Sequence, residues 1–200
     1  YCYWNFIKSC NDIISIVVEP ETDNMKAYLA YAKANRAALY LDLARGFDPL
    51  ENNYTDVSAV KGLTVPKITE TTTEAEARNN PRLTRSEMFQ FIFDDLDAAE
   101  ELLTGNSHSA GKDVPSLAVV YGLKARYYMW LAGEGTDASS AENFKNAKEY
   151  ARKAINAANV TPMTQEECLD LAKGFNDINQ WMWGVQMVVE DNVVQSGILN

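Results

Sequence analysis

The segment from Asn79 to Leu103 limits what this chain can fold into more than any other stretch. It opens Asn79-Asn80-Pro81-Arg82-Leu83-Thr84-Arg85-Ser86-Glu87. Thr84 with Glu87 three residues later is a capping box, in which each side chain takes a backbone N–H at the helix start. Phe89, Ile92, Phe93, Leu96, Ala99 and Leu103 then recur at helical spacing and form one apolar stripe. The pattern predicts a helix over about 84–103 with one face docked on a mostly helical core. Asp94, Asp95 and Asp97 on that helix read as a solvated face rather than a cation site, because neither EF-hand loop spacing nor its closing Glu is present.

Four further helices are expected. The first covers about 3–18 and turns Trp4, Ile7, Ile14 and Val18 inward. The second, about 24–46, carries Met25, Tyr28, Leu29, Ala32, Leu39, Tyr40 and Leu43, with Asp23 or Asn24 as its cap and Gly46 as its stop. Residues 115–132 are apolar nearly all round, through Leu117, Val119, Val120, Leu123, Tyr127, Trp130 and Leu131, which predicts a central buried helix. Small Ala118 and Gly122 on it allow a neighbour to approach closely. The last helix, about 141–158, shows Phe144, Ala147, Ala151, Ala154 and Ile155. Its small-residue spacing is similar to tetratricopeptide repeats, although the loop from Gly133 to Ser140 is longer than a standard repeat turn.

Two segments break the helical pattern. Residues 47–82 form a long connection rich in Asn, Thr and Pro, and long ordered loops are often functional. Over 180–189 the period falls from 3.6 to 2, so Trp181, Trp183, Val185, Met187 and Val189 would share one strand face. That face either packs in the core or stacks on a sugar.

With 200 residues and 46% apolar content, the chain can bury one sizeable core, so a single domain over 1–200 is expected. It begins at Tyr1 without a Met, which reads as a fragment or processed form of a longer chain. A net charge of −10 argues against nucleic acid and anionic membrane surfaces as partners. No run approaches the ~20 apolar residues of a membrane span. Cys2 and Cys10, on one predicted helix, would stand about 12 Å apart. A disulfide requires Cα atoms within roughly 7 Å, so these two cannot pair while helical. Small buried hydrophobes are the expected reading for most of Cys2, Cys10 and Cys168.

The chemistry of catalysis is missing. His108 sits alone in the loop Gly105-Asn106-Ser107-His108-Ser109-Ala110-Gly111 without a ligating or acidic partner at useful spacing, and reads as solvated. Gly105 to Lys112 fails as a phosphate loop: five residues separate its glycines where four are needed, and Asp113 stands where Ser or Thr should be. G-x-S-x-G, H-E-x-x-H and C-x-x-C do not occur. Helical carboxylate pairs such as Glu100 and Glu101 read as solvated. No catalytic residue, metal or cofactor is expected.

Four motifs in order carry a family resemblance. Pro81-Arg82-x-Thr84 followed by Glu87-x-Phe89-x-x-Ile92-x-x-Asp95-Leu96-x-x-Ala99 resembles the SusD-like (SusD/RagB) nutrient-binding proteins of Bacteroidetes. So do Trp4-x-x-Ile7-x-x-Cys10-Asn11, the run Arg36-Ala37-x-x-Tyr40-x-x-Leu43-x-x-Gly46, and Leu123, Ala125, Arg126 and Tyr128. The resemblance spans residues 4–131. It implies the mainly α fold of that family: irregular tetratricopeptide-like helical pairs with long loops, and a short β element near the C-terminal end. It also implies a non-catalytic protein on the outer surface of the outer membrane, held by a lipid anchor outside this sequence. Such a protein captures an oligosaccharide or other nutrient and delivers it to a SusC-like TonB-dependent transporter.

In that setting, aromatic rings stack on sugars while Asn, Asp and Arg bond the hydroxyls. Aromatics at the chain start and in the long loop are the ligand-binding candidates: Tyr1, Trp4 and Tyr54, with Asn53 beside the last. Trp4 also fits the apolar stripe of its helix. The alternative function is a tetratricopeptide-like scaffold whose concave surface binds a protein.

Overall fold

An amphipathic helix buries its stripe only against another element, and here the helices pair in succession. The computed structural model describes residues 2–49, 53–109, 111–133, 138–170, 172 and 181–184. Its elements are α1 (Cys2–Ile16), α2 (Asp23–Phe47), β1 (Leu63–Pro66), α3 (Glu74–Arg78), β2 (Arg82–Thr84), α4 (Arg85–Leu103), α5 (Leu117–Gly133), α6 (Ala138–Ala158) and α7 (Gln165–Leu169). α2 packs between α1 and α4, α4 leads on to α5, and α5 pairs extensively with α6. The fold is mainly α, as expected.

α4 starts where its capping box places it. Thr84 Oγ1 accepts from the Glu87 N–H, and Glu87 Oε2 accepts from the Thr84 N–H at 2.9 Å. It ends at the cap Thr104, followed by Gly105 at φ 71°, the left-handed backbone that glycine adopts without penalty. Ile92, Leu96, Ala99 and Leu103 are buried as the stripe requires, and Met88 joins them.

α2 departs from expectation at both ends. Thr22 is the cap, its Oγ1 accepting from Met25 N at 3.2 Å. Asp23 and Asn24 hold the 106–108 loop instead: Ser107 N donates to Asp23 Oδ2 at 3.2 Å, and Asn24 Oδ1 lies 2.8 Å from His108 Nδ1. His108 is therefore half-buried against Tyr28 and Tyr31, and not a solvated loop residue. Gly46 does not stop the helix, which runs to Phe47 and closes when Asp48 N donates to Ala44 O at 2.8 Å.

Burial is shared between α2 and α5. Six alanines of α2 (Ala27, Ala30, Ala32, Ala34, Ala37 and Ala44) are buried, and their small size lets α1 and α4 approach from two sides. α5 contributes Val119, Val120, Leu123 and Tyr127 to the same core, yet its Met129 is exposed and its Trp130 only half-buried. Trp130 meets Phe89 edge-on at 4.4 Å. Fully buried Lys124 interrupts the apolar surface of α5. Its ammonium binds Asp97 at 2.8 Å and Glu100, and faces the Tyr150 ring of α6 at 5.1 Å. Val18, expected inward, is exposed because α1 has already ended at Ile16. Phe144 and Ile155 of α6 are exposed too.

The strand expected over 180–189 is not found in its described part. Residues 181–184 form a bend tied down by Gly184 N donating to Lys112 O at 2.9 Å, and 180 and 185–189 lie outside the described residues. The two-stranded sheet forms within the long connection instead, β1 antiparallel to β2 with an irregular register between Leu63 and Pro66. Arg82 holds it, donating from Nε to Thr64 O and from Nη2 to Phe47 O at 2.8 Å. Among the described residues of 47–82 no long helix follows the end of α2. All three cysteines are free, and only Cys10 is buried; Cys2 and Cys168 are exposed, against the expectation for most of them.

Candidate functional site

Arg36 of α2 sits 3% exposed at the junction of α1, α2, α4 and the loop after β1. Its Nε and Nη2 donate to both oxygens of Asp95 at 2.7 and 2.9 Å, a bidentate pairing that fixes α2 against α4. Nη1 donates to Asn11 Oδ1 of α1 at 2.7 Å and to Glu70 Oε2 of the loop at 2.5 Å. Lys33 Nζ adds a longer bond to Asp95 at 3.4 Å. Burial alone would lower the Arg36 pKa, but the Asp95 and Glu70 carboxylates more than offset it and the value is raised. Asp95 is thus a buried ion-pair partner and no solvated face residue. Asn11, Arg36 and Asp95 all belong to the recognised motifs, so these motif positions form scaffold.

That scaffold clamps one loop residue. Asn11 Nδ2 donates to Ile68 O at 3.1 Å. The Tyr40 hydroxyl donates to the same carbonyl at 3.0 Å and accepts from Ile68 N at 2.7 Å. Tyr40 in turn meets the edge of Trp4 at 6.2 Å and of Phe91 at 5.1 Å. The loop after β1 is therefore held at a fixed distance from α1.

Between them lies a cleft of about 500 Å³. One wall is a helical face of α1: Trp4, Lys8, Asn11, Asp12 and Ser15, at the spacing of successive turns. The facing wall runs from Pro66 through Ile68, Thr69, Glu70 and Thr72 to Asn80. Asn80 Nδ2 donates to Lys67 O at 2.6 Å and so braces that wall. A second cleft of about 590 Å³ opens beside it, lined by Tyr3, Phe47, Thr64 and Arg82. Trp4 and Pro66 line both clefts. A third groove, about 760 Å³ between α1 and α2, is lined largely by apolar residues, among them Phe6, Ile13, Tyr28 and Leu39.

Of the expected ligand residues, only Trp4 lines these clefts. Tyr54 is 97% exposed and Asn53 is exposed as well; neither is among the lining residues, so the structure does not bring them together with Trp4 there. Tyr1 lies outside the described residues. Sequence reasoning missed Lys8, Asp12, Glu70 and Asn80. The signal for the first two was present, since Lys8, Asp12 and Ser15 share a helical face with Trp4. Nothing local marks Glu70 or Asn80, which reach the cleft only through the path of the loop.

Glu70 gives the site a pH dependence. Burial raises its pKa, but Arg36 and the local backbone lower it more, and the net value falls below the ordinary 4.5. A depressed carboxylate contributes stability that is complete above its unfolded pKa and is lost as pH falls through the folded one. Stability is therefore expected to decline on acidification below about pH 4.5. Glu70→Gln should flatten that part of the curve, and an unchanged acid slope in urea titrations of the variant would reject this assignment.

Among the described residues, no group of three or more His, Cys, Asp or Glu is placed to hold a metal ion. None of their helices is long and apolar enough to cross a membrane.

Residues 1–129 match a SusD-like family model described as starch-binding associating with outer membrane. Among solved structures, the chain is similar to a SusD-like carbohydrate binding protein from Bacteroides vulgatus. The identity is 23% and the TM-score 0.70, covering 93% of this chain and 36% of that one. It is also similar to a protein solved with xylogluco-oligosaccharide (21% identity, TM-score 0.65, 93% of this chain and 34% of that one). A SusD superfamily protein from Bacteroides thetaiotaomicron matches at 17% identity and TM-score 0.63, over 84% of this chain and 34% of that one. At these identities the likeness shows the fold. The chain spans about a third of the length of these solved relatives. No curated protein matches it.

Proposed function

This chain belongs to the SusD-like family, and on that premise we propose that it captures a nutrient glycan, without cleaving it, in the polar cleft beside Trp4. The supporting observation is the position of Trp4, a half-exposed ring shared by two clefts. An aromatic face offers an apolar, polarisable surface to the C–H face of a sugar ring. Around it, Asn11, Asp12, Ser15, Thr69, Thr72 and Asn80 supply the hydroxyl, amide and carboxylate groups that hydroxyls pair with. The volume lies within the roughly 300–1,000 Å³ usual for small-ligand sites. A related structure solved with xylogluco-oligosaccharide supports glycan as the class of ligand.

In the family setting, the captured glycan passes to a SusC-like TonB-dependent transporter at the outer membrane. A lipid anchor outside this sequence holds the protein there. Tyr1, Asn53 and Tyr54 are secondary ligand candidates, Tyr54 because its ring is presented to solvent on the long loop.

Calorimetry of the intact protein against neutral oligosaccharides, xylogluco-oligosaccharides included, tests this reading. Trp4→Ala is expected to weaken binding about fivefold, the equivalent of ~1 kcal/mol for one stacking contact. Tyr54→Ala should lower affinity less and leave the melting temperature unmoved. Full affinity in Trp4→Ala would remove the cleft from consideration, and release of reducing sugar by the purified protein would refute capture without cleavage.

A further inference from the structure

Two carboxylates and one ammonium are the charged side chains that line the polar cleft: Asp12 and Lys8 on the α1 wall, Glu70 opposite. The ammonium is engaged, with Lys8 Nζ 2.6 Å from Asp12 Oδ2. The charge opposite Glu70 is Arg36, buried behind the wall, whose other donors already serve both oxygens of Asp95 and the Asn11 amide. Lys67 does not line the cleft; its ammonium lies over the Phe91 ring, 5.4 Å from the centroid. Across Trp4, Arg82 gives Nε and Nη2 to the backbone carbonyls of Thr64 and Phe47. Among the described residues lining the polar cleft, then, no cation stands without a carboxylate.

We infer that this cleft selects uncharged, hydroxyl-bearing glycans and discriminates against those carrying carboxylate or sulfate groups. The inference rests on reading the cleft as the glycan site. A sugar hydroxyl both donates and accepts, so it can pair with the Asp12 and Glu70 oxygens on one side and amide donors on the other. A carboxylate or sulfate only accepts, and it would bring its charge against Asp12 and Glu70 while competing with Asp12 for Lys8. Such a repulsive element is the means by which a site separates ligands of similar shape. The net charge of −10 adds longer-range repulsion of anions, most strongly at low salt.

The test is an array of neutral, uronate-containing and sulfated oligosaccharides of matched length, probed with the intact protein at low salt and followed by calorimetry. Neutral glycans are expected to bind more tightly than the charged ones, which should bind only weakly. The charge reversal Asp12→Lys, on an exposed position, should then raise affinity for an oligogalacturonate about two- to fivefold, the scale of one exposed ion pair. Two results overturn the selectivity while leaving glycan binding intact. One is an anionic glycan bound as tightly as the neutral ones and weakened by Trp4→Ala; the other is an Asp12→Lys protein that gains nothing for the uronate. Failure to bind any glycan overturns both this inference and the function it rests on.

Discussion

Arg36→Ala is expected to destabilise the protein by roughly 3–5 kcal/mol, the cost of breaking a buried ion pair from one side. The magnitude comes from what is left behind. Asp95, 3% exposed, would lose both of its charge-assisted bonds to the guanidinium, and Lys33 at 3.4 Å is too distant to replace them. Asn11 Oδ1 would lose the Arg36 donor and Glu70 Oε2 its ion-pair partner. Urea denaturation with a constant slope is the measurement. Converting the central pair to apolar groups in Arg36→Met/Asp95→Leu should recover much of the loss, because a buried pair replaced as a unit leaves no orphaned charge. A loss below about 1 kcal/mol in the single variant would mean that water reaches Asp95 and that the pair is not sealed.

Tyr40→Ala is expected to cost about as much, roughly 3–5 kcal/mol by the measure of large aromatic truncations, and to disturb ligand capture as well. Tyr40 is the largest fully buried side chain among the described residues, wedged between Trp4 and Phe91, and its hydroxyl makes two bonds to the Ile68 backbone. Removing the ring would leave Trp4 unsupported and release the loop that forms the opposite wall of the polar cleft. Tyr40→Phe separates the two contributions: it keeps the ring and orphans the Ile68 amide, for about 1–3 kcal/mol. Thermal and urea unfolding give the stabilities, and calorimetry with the neutral glycan gives the coupling. Tyr40→Phe that lowers stability but leaves affinity untouched would show that the Ile68 clamp does not set the cleft width.

Local pattern carried the helices. The capping box at Thr84 and Glu87 and the stripe from Ile92 to Leu103 placed α4, because both depend only on neighbours within a few turns. The same physics explains the errors at α2. Thr22, Asp23 and Asn24 are all competent caps, and the choice fell to Thr22 once a loop more than eighty residues away claimed the other two. β1 and β2 were hidden because strands of four and three residues are too short for a period to show, and their pairing closes over fifteen intervening residues.

The order of the motifs also marked the family, and Trp4, singled out from its place near the chain start, lines the cleft proposed as the site. What the chain by itself determined is the helix content, the apolar faces and the absence of recognisable catalytic motifs, since each follows from residue type and spacing. Only the tertiary structure decided the roles of the charges. Asp94, Asp95 and Asp97 look alike in sequence, yet one lies at the surface within reach of Gln90, one is buried on Arg36 and one meets a buried Lys124. Likewise Glu70 faces the cleft only because Asn11, Arg36 and Tyr40, from two different helices, converge on its loop. A charge takes its meaning from the partner and the dielectric around it, and both are supplied by segments distant in sequence.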